Sequence, residues 1–385
     1  MKIIIAIDSL KGSLSSLEAG DAIRIGILKA MSDAQVEVRP IADGGEGTVE
    51  ALTIGMGGEL QSVTVTGPLG EKISASYGII DGQTAVVEMS AAAGITLVPE
   101  KIRNPLNTTT YGVGEIIRDA IKKGCRRFIV GIGGSATNDG GIGMLTALGF
   151  KFKNAQGESC GIFGRDLEKI SAIDDSNILP ELRECTFKIA CDVTNPLCGE
   201  QGASKIYGPQ KGATPEIVAQ MDSWLGSYAK LAKKYYPDID ADFPGTGAAG
   251  GLGFAFRTFT NAELESGIKI ILAETKLEEY VKTADIVVTG EGRLDEQTIM
   301  GKAPIGVAQI AKKYDKPVIA FSGCVTANAT LCNEHGIDAF FPILRTVTTL
   351  EEAMNSDTAR QNMIDTSEQV FRLWKKIKTE RVDNL

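Results

Sequence analysis

Between residues 128 and 143 the chain reads FIVGIGGSATNDGGIG. An apolar run empties into six glycines between Gly131 and Gly143, with Ser135, Thr137, Asn138 and Asp139 among them. Glycine loses more conformational freedom on folding than any other residue. Such density needs either a turn at positive φ or a ligand that comes very close to the backbone. Phosphate is the usual ligand of the second kind, because unpaired N–H groups converge on it. The loop therefore reads as a phosphate cradle, with Gly133, Gly134, Ser135, Thr137, Asn138, Gly140 and Gly141 as nucleotide-binding candidates. Asp139 would be a misplaced anion there unless a magnesium ion on the nucleotide stood beside it, which makes Asp139 the metal-ligand candidate. The same stretch fits a loosened dinucleotide fingerprint, Gly131-x-Gly133-x-x-Ala136, but Thr137–Gly141 delay the helix that should begin there. A second match, Gly245-x-Gly247-x-x-Gly250, follows Asp-Phe-Pro instead of a strand.

Charged groups sit in similar surroundings elsewhere. DSLKGS carries Asp8, Ser9 and Lys11; ADGGEGT carries Asp43 and Glu46; CDVTNPL carries Asp192; GPQKGA carries Lys211; TGEGRLDEQT carries Glu291, Arg293 and Asp295. Each has a plain alternative, such as a helix cap for DSLKGS or an Asx-turn for CDVTNPL. Together they supply carboxylates, cations and close-approach glycines for one site. That is the anatomy of phosphoryl transfer, where catalysis is mainly positioning and charge neutralisation.

Such residues need rigid elements to hold them. Six short apolar runs read as buried parallel strands: 3–7, 36–41, 128–132, 286–289, 318–322 and 339–343. Amphipathic stretches at 17–31, 110–123 and 303–314 read as helices, and the alternation predicts an α/β protein with open parallel sheet. Several of the polar motifs follow directly on strands, where such sheets bind ligands. Residues 60–90 differ, with Pro-Leu-Gly and Asp-Gly turns between alternating strands, which predicts antiparallel hairpins. The expected organisation is a discontinuous parallel-sheet domain, 1–60 plus 284–385, interrupted by an inserted mixed α/β domain, 61–283. The polar tail TERVDNL is expected to fray.

Composition narrows the function classes. A net charge of −9 argues against nucleic acid or an anionic membrane as partner, while leaving room for a small anion in a locally basic pocket. Seven cysteines without a CxxC pair, and an opening apolar run too short for a secretory leader, predict a cytoplasmic protein with reduced thiols. The single histidine, His335, is expected at the surface, so acid–base work falls to carboxylates.

The ordered set DSLKGS, ADGGEGT, GIGGSATNDGG, CDVTNPL, GPQKGA, GAAGGLG and TGEGRLDEQT resembles the bacterial type I glycerate kinases, over about residues 1–345. The resemblance implies ATP-dependent phosphorylation of D-glycerate, usually at the 2-hydroxyl. It also implies magnesium and two α/β domains, one of them flavodoxin-like and the other likened to restriction-endonuclease folds. Chemistry then assigns roles. Asp192 is the candidate base for the glycerate hydroxyl and Lys11 the cation for the transferring phosphoryl group. Asp8, Ser9, Glu291, Arg293 and Asp295 are the substrate-binding candidates, Arg293 suiting a carboxylate through its guanidinium fork. The nucleotide and substrate regions could exchange these roles. Two other classes stay open: a nicotinamide-dependent hydroxyacid dehydrogenase using the GxGxxA-like turn, and a nucleotide-binding sensor without turnover.

Overall fold

The computed structural model describes residues 1–382, with side chains to Ile377. In chain order its strands are β1 (Lys2–Ile5), β2 (Gln35–Val38), β3 (Glu59–Thr66), β4 (Lys72–Ile80), β5 (Thr84–Glu88), β6 (Arg127–Gly131), β7 (Lys151–Lys153), β8 (Ala172–Asp174), β9 (Thr186–Ala190), β10 (Glu263–Glu265), β11 (Ile286–Leu294), β12 (Val318–Val325) and β13 (Ala339–Pro342). The chain divides into two compact units, Met1–Asp43 with Ile268–Leu385, and Gly44–Gly267.

In the first unit the strands pair in the order β2-β1-β11-β12-β13, all parallel. Ile3, Ile4 and Ile5 are wholly buried, as expected where helices cover both faces of a parallel sheet. Parallel neighbours need long crossover connections, usually helical. The first, Ser16–Ala30, starts at a capping box in which Ser15 and Glu18 satisfy each other's backbone N–H groups. From β1 the chain steps to β2 on one side, whereas β11 leads to β12 and β13 on the other. The direction of winding therefore reverses between β1 and β11, and ligands of such sheets bind at the carboxyl ends beside that switch.

The second unit holds a mixed sheet in the order β3-β4-β5-β6-β9-β10. The hairpins β3–β4 and β4–β5 are antiparallel, while β5, β6, β9 and β10 run parallel. Phe128 and Phe187 stack at 4.7 Å in its core, and Tyr228, from the helix Pro215–Tyr235, packs edge-on to Phe254. A two-stranded ribbon, β7–β8, stands apart from this sheet.

The compact units change over at 43/44 and 267/268, whereas the sequence reading places its limits at 60/61 and 283/284. The helix Thr48–Gly55 belongs to the second unit because Glu88, at the end of β5, accepts the Val49 N–H at 2.8 Å. Residues 268–283 belong to the first because Arg39 donates to the Thr275 carbonyl at 2.8 Å and stacks over Tyr280. The final helix, Ser356–Val382, carries the backbone of the polar tail as far as Val382; the tail's last three residues lie outside the described residues. Among the described residues no helix is long and apolar enough to cross a membrane. All seven cysteines are free thiols, and His335 is exposed.

Candidate active site

In the first unit the expected charged residues gather at the switch between β1 and β11. Asp8 follows β1, is 5% exposed and accepts the Ser9 N–H at 2.7 Å. Burial and the nearby charge of Asp43 push its carboxyl up to about 7, against the pull of that N–H and of Lys11. Lys11 lies exposed, with its Nζ 3.2 Å from Asp43 Oδ2. Partial burial opposes its charge, but Asp43, Asp8 and Glu291 outweigh that and hold the ammonium above its usual range. On β11, Glu291 is buried; it accepts Thr298 Oγ1–H at 2.6 Å and lies 3.7 Å from Lys302 Nζ. Burial also raises the Glu291 carboxyl. Arg293, one step outward, is exposed and sits 3.3 Å from Asp295. Asp295 also accepts the Gln297 N–H, which orders the turn.

In the second unit the parallel strands β5, β6 and β9 end side by side at Glu88, Gly131 and Ala190. Gly44 packs against these ends. It has φ +88°, and a Cβ there would stand 2.7 Å from Ala190 Cβ and 3.0 Å from Gly267 Cα. Glycine is the residue that fits both constraints. Asp192, just past β9, is exposed, and its Oδ1 accepts the Gly267 N–H at 3.0 Å. Glu88 was not visible as a site residue in the sequence; its carboxylate accepts backbone N–H groups at the start of Thr48–Gly55 and so fixes the Gly-rich ADGGEG turn.

The loop after β6 divides into two parts. Gly133 and Gly134 are exposed, and Ser135 lies beside them at 7% exposure. This outer part is held by bonds from Ile95 N to the Gly134 carbonyl, 2.8 Å, and from Ala136 N to the Ala93 carbonyl, 2.9 Å. The inner part, Thr137 to Gly141, runs through the interior. Asn138 donates to Ser204 Oγ at 2.8 Å, and Gly140 N donates to the Gly250 carbonyl at 2.9 Å.

Several expectations therefore need correction. Thr137, Asn138, Gly140 and Gly141 are packed inside the unit, which leaves Gly133, Gly134 and Ser135 as the members of the expected set at or beside the surface. Asp139 is wholly buried: its Oδ2 accepts from Thr110 N, Thr110 Oγ1 and Gly143 N, and its Oδ1 from Gly141 N. It fastens the starts of the helices Tyr111–Lys122 and Ile142–Ala147, and cannot also face a magnesium ion. Burial raises its carboxyl despite those bonds. The dinucleotide fingerprint fails as well, since Ala136 is paired to Ala93 and the helix begins only at Ile142. Gly247 and Gly250 are packing positions, where a Cβ would strike the Pro196 and Thr137 carbonyls.

Lys211 sits unexpectedly deep. It is 2% exposed, and its Nζ donates to Ser135 Oγ at 2.7 Å and to the Thr137 carbonyl at 2.6 Å. Burial pulls its ammonium down to about 7, with Asp139 acting in the opposite direction.

A magnesium ion would need oxygen donors other than Asp139. Among the described residues no three acidic, cysteine or histidine side chains form a resident metal centre. An ion carried on a nucleotide needs only one or two protein carboxylates beside the phosphate oxygens. Asp8 and Asp43 have the right oxygen donors, and their mutual repulsion is the kind a divalent cation relieves.

The glycerate kinase family matches residues 3–375. The chain is 50% identical to glycerate 2-kinase of Escherichia coli K12 over 354 residues, covering 92% of this chain and 93% of that protein. It is 47% identical to a glycerate kinase of Haemophilus influenzae over 97% of this chain and 98% of that one. A crystal structure from Salmonella typhimurium LT2 of a protein assigned as glycerate kinase 2 superposes with a TM-score of 0.92 at 46% identity, over 98% of this chain and 99% of that chain.

Proposed function

Because the chain belongs to the glycerate kinase family, we propose that it transfers the γ-phosphoryl group of ATP to the 2-hydroxyl of D-glycerate, giving ADP and 2-phosphoglycerate. The observation that carries this reading is the charge cluster at the β1/β11 switch, where buried carboxylates and mobile-stemmed cations replace the apolar residues of the strands. The strand order of that unit supports a flavodoxin-like domain, and the second unit serves as a separate mixed α/β domain.

Asp192 accepts the proton as the glycerate hydroxyl attacks phosphorus, and the Gly267 N–H fixes its orientation. Lys11, oriented by Asp43, neutralises charge on the transferring group. Arg293 and Ser9 receive the carboxylate and hydroxyls of glycerate, while Asp295 holds Arg293 in place. Gly133, Gly134 and Ser135 receive a nucleotide phosphate on bare backbone and one hydroxyl. Asp8 and Asp43 would hold magnesium, which screens the phosphate charges when bound. The free thiols support a reducing, cytoplasmic setting.

The test is ADP release by purified protein, which should need ATP, glycerate and a divalent cation together. Coupling the product to enolase distinguishes 2-phosphoglycerate from the 3-phosphate. No glycerate-dependent ADP release, with ATP binding demonstrated separately, overturns the assignment.

A further inference from the structure

Lys211 has no part in the chemistry described so far, yet its placement is costly. A lysine stem normally carries its ammonium to water. Here the stem ends at the short helical turn Pro209–Lys211, and the side chain turns inward to 2% exposure. Gly212 makes the backbone turn behind it, at φ +89°, where a Cβ would strike the Arg103 carbonyl. The amine meets two oxygens, Ser135 Oγ at 2.7 Å and the Thr137 carbonyl at 2.6 Å, at the junction between the exposed and buried parts of the glycine loop. A neutral side chain could brace a loop at lower desolvation cost. The amine adds what a carbon brace cannot: N–H bonds that fix the Ser135 hydroxyl and the Thr137 carbonyl relative to each other.

Ser135 is the hydroxyl in question. Its Oγ accepts from Lys211, so its own proton remains to be donated. Its neighbours Gly133 and Gly134 are exposed. We propose that Lys211 is the positioning residue for Ser135, holding the hydroxyl as a donor to a phosphate of the nucleotide at the Gly133–Gly134 edge. This rests on the reading of that edge as the nucleotide site. Asp139 favours the charged form of Lys211 from the interior, against the burial that opposes it.

A double-mutant cycle in the full chain tests the proposal, read by ADP binding in calorimetry and by the KM values for ATP and glycerate. Lys211→Met keeps the stem and removes the amine; Ser135→Ala removes the hydroxyl. Each should weaken ADP binding about tenfold, as loss of a charge-assisted bond does. KM for glycerate should change less than twofold. Because one residue acts through the other, the double variant should bind no more weakly than the weaker single variant, within twofold. Ser135→Thr, which keeps a hydroxyl, should restore most of the binding. A folded Lys211→Met protein that binds ADP as the parent does overturns the proposal. So do losses that multiply in the double variant. If Lys211→Met does not fold, Lys211→Gln replaces it in the cycle, and its smaller loss must likewise vanish in the Ser135→Ala background. A shift in glycerate KM with ADP binding intact also overturns the proposal, through the nucleotide reading and not through the Lys211–Ser135 coupling.

Discussion

In the first unit the ends of β1 and β11 carry Asp8, Lys11 and Glu291, with Asp43 in electrostatic reach of all three. In the second, β6 and β9 end at Gly131 and Ala190, and the loop beyond β6 offers bare backbone with a single serine hydroxyl. Both are carboxyl ends of parallel strands, where the topology leaves room for a ligand. One end sets buried carboxylates beside the exposed Lys11 and Arg293; the other keeps Asp139 and Lys211 sealed beneath its glycine loop, with Asp192 exposed past β9. The difference indicates how a protein can handle anions in two ways. Exposed charges can meet an ion and be neutralised by it, whereas a glycine edge relies on N–H groups that need no counter-charge.

The largest effect expected from this contrast concerns Asp8. Its folded-state value, raised from 3.8 to about 7, means that the native protein binds the proton more tightly than the unfolded chain does. Stability from this group is therefore complete below about pH 4 and is lost as pH rises through 7. The Asp8→Asn variant cannot ionise but still offers an oxygen to the Ser9 N–H. Without ligands, it should match the parent near pH 4 and exceed it by about 4 kcal/mol above pH 7. Urea denaturation across that window measures the difference. A difference independent of pH would show that neither burial nor the charge of Asp43 raises this carboxyl.

Much of this contrast was legible in the chain. Ile3–Ile5 and Phe128–Val130 read as buried strands because parallel strands covered on both faces are apolar throughout. The Asp-Gly and Pro-Leu-Gly turns placed the hairpins because turn chemistry is local. What could not be read was direction. Asp139 and Ser135 look alike as small polar residues among glycines, yet one faces inward and the other borders the surface. That outcome depends on Thr110, nearly thirty residues earlier, supplying two donors to Asp139. Lys211 likewise read only as one cation of the gathered polar motifs, since nothing local to GPQKGA signals the oxygens that receive it. Glu88 ends a strand with no glycine or charge beside it to mark it.

Asp192 comes next in size. Asp192→Asn preserves the acceptor for the Gly267 N–H, so folding should survive. With the proton acceptor removed, kcat should fall by about a hundredfold or more. Unchanged kcat would reduce Asp192 to a local cap on Gly267, and would leave the second unit with no charged group in the chemistry. Arg293 follows, as the outermost cation of the first unit. Arg293→Lys should raise KM for glycerate roughly tenfold, with KM for ATP nearly constant, because lysine lacks the fork that grips a carboxylate. The reverse pattern would mean that the charged end serves the nucleotide and the glycine end the acid.

The smallest expected effect separates the two causes of glycine density. Gly44 is glycine for the fold, since its φ of +88° and the crowding from Ala190 leave no space for a side chain. Gly133 is different: it is exposed, it lies outside the positive-φ region, and an added Cβ would meet nothing within 4 Å. The fold therefore gives no reason for glycine at 133, which on the proposed reading is kept bare for a ligand close to the backbone. Gly133→Ala should leave the urea midpoint within about 0.5 kcal/mol of the parent, as for other surface substitutions. It should weaken ADP binding by about 1 kcal/mol, roughly fivefold, as a methyl group forces a phosphate away from one N–H. Unchanged ADP binding and unchanged stability together would show that nothing approaches this edge, and the nucleotide would then have to be sought at the charged end.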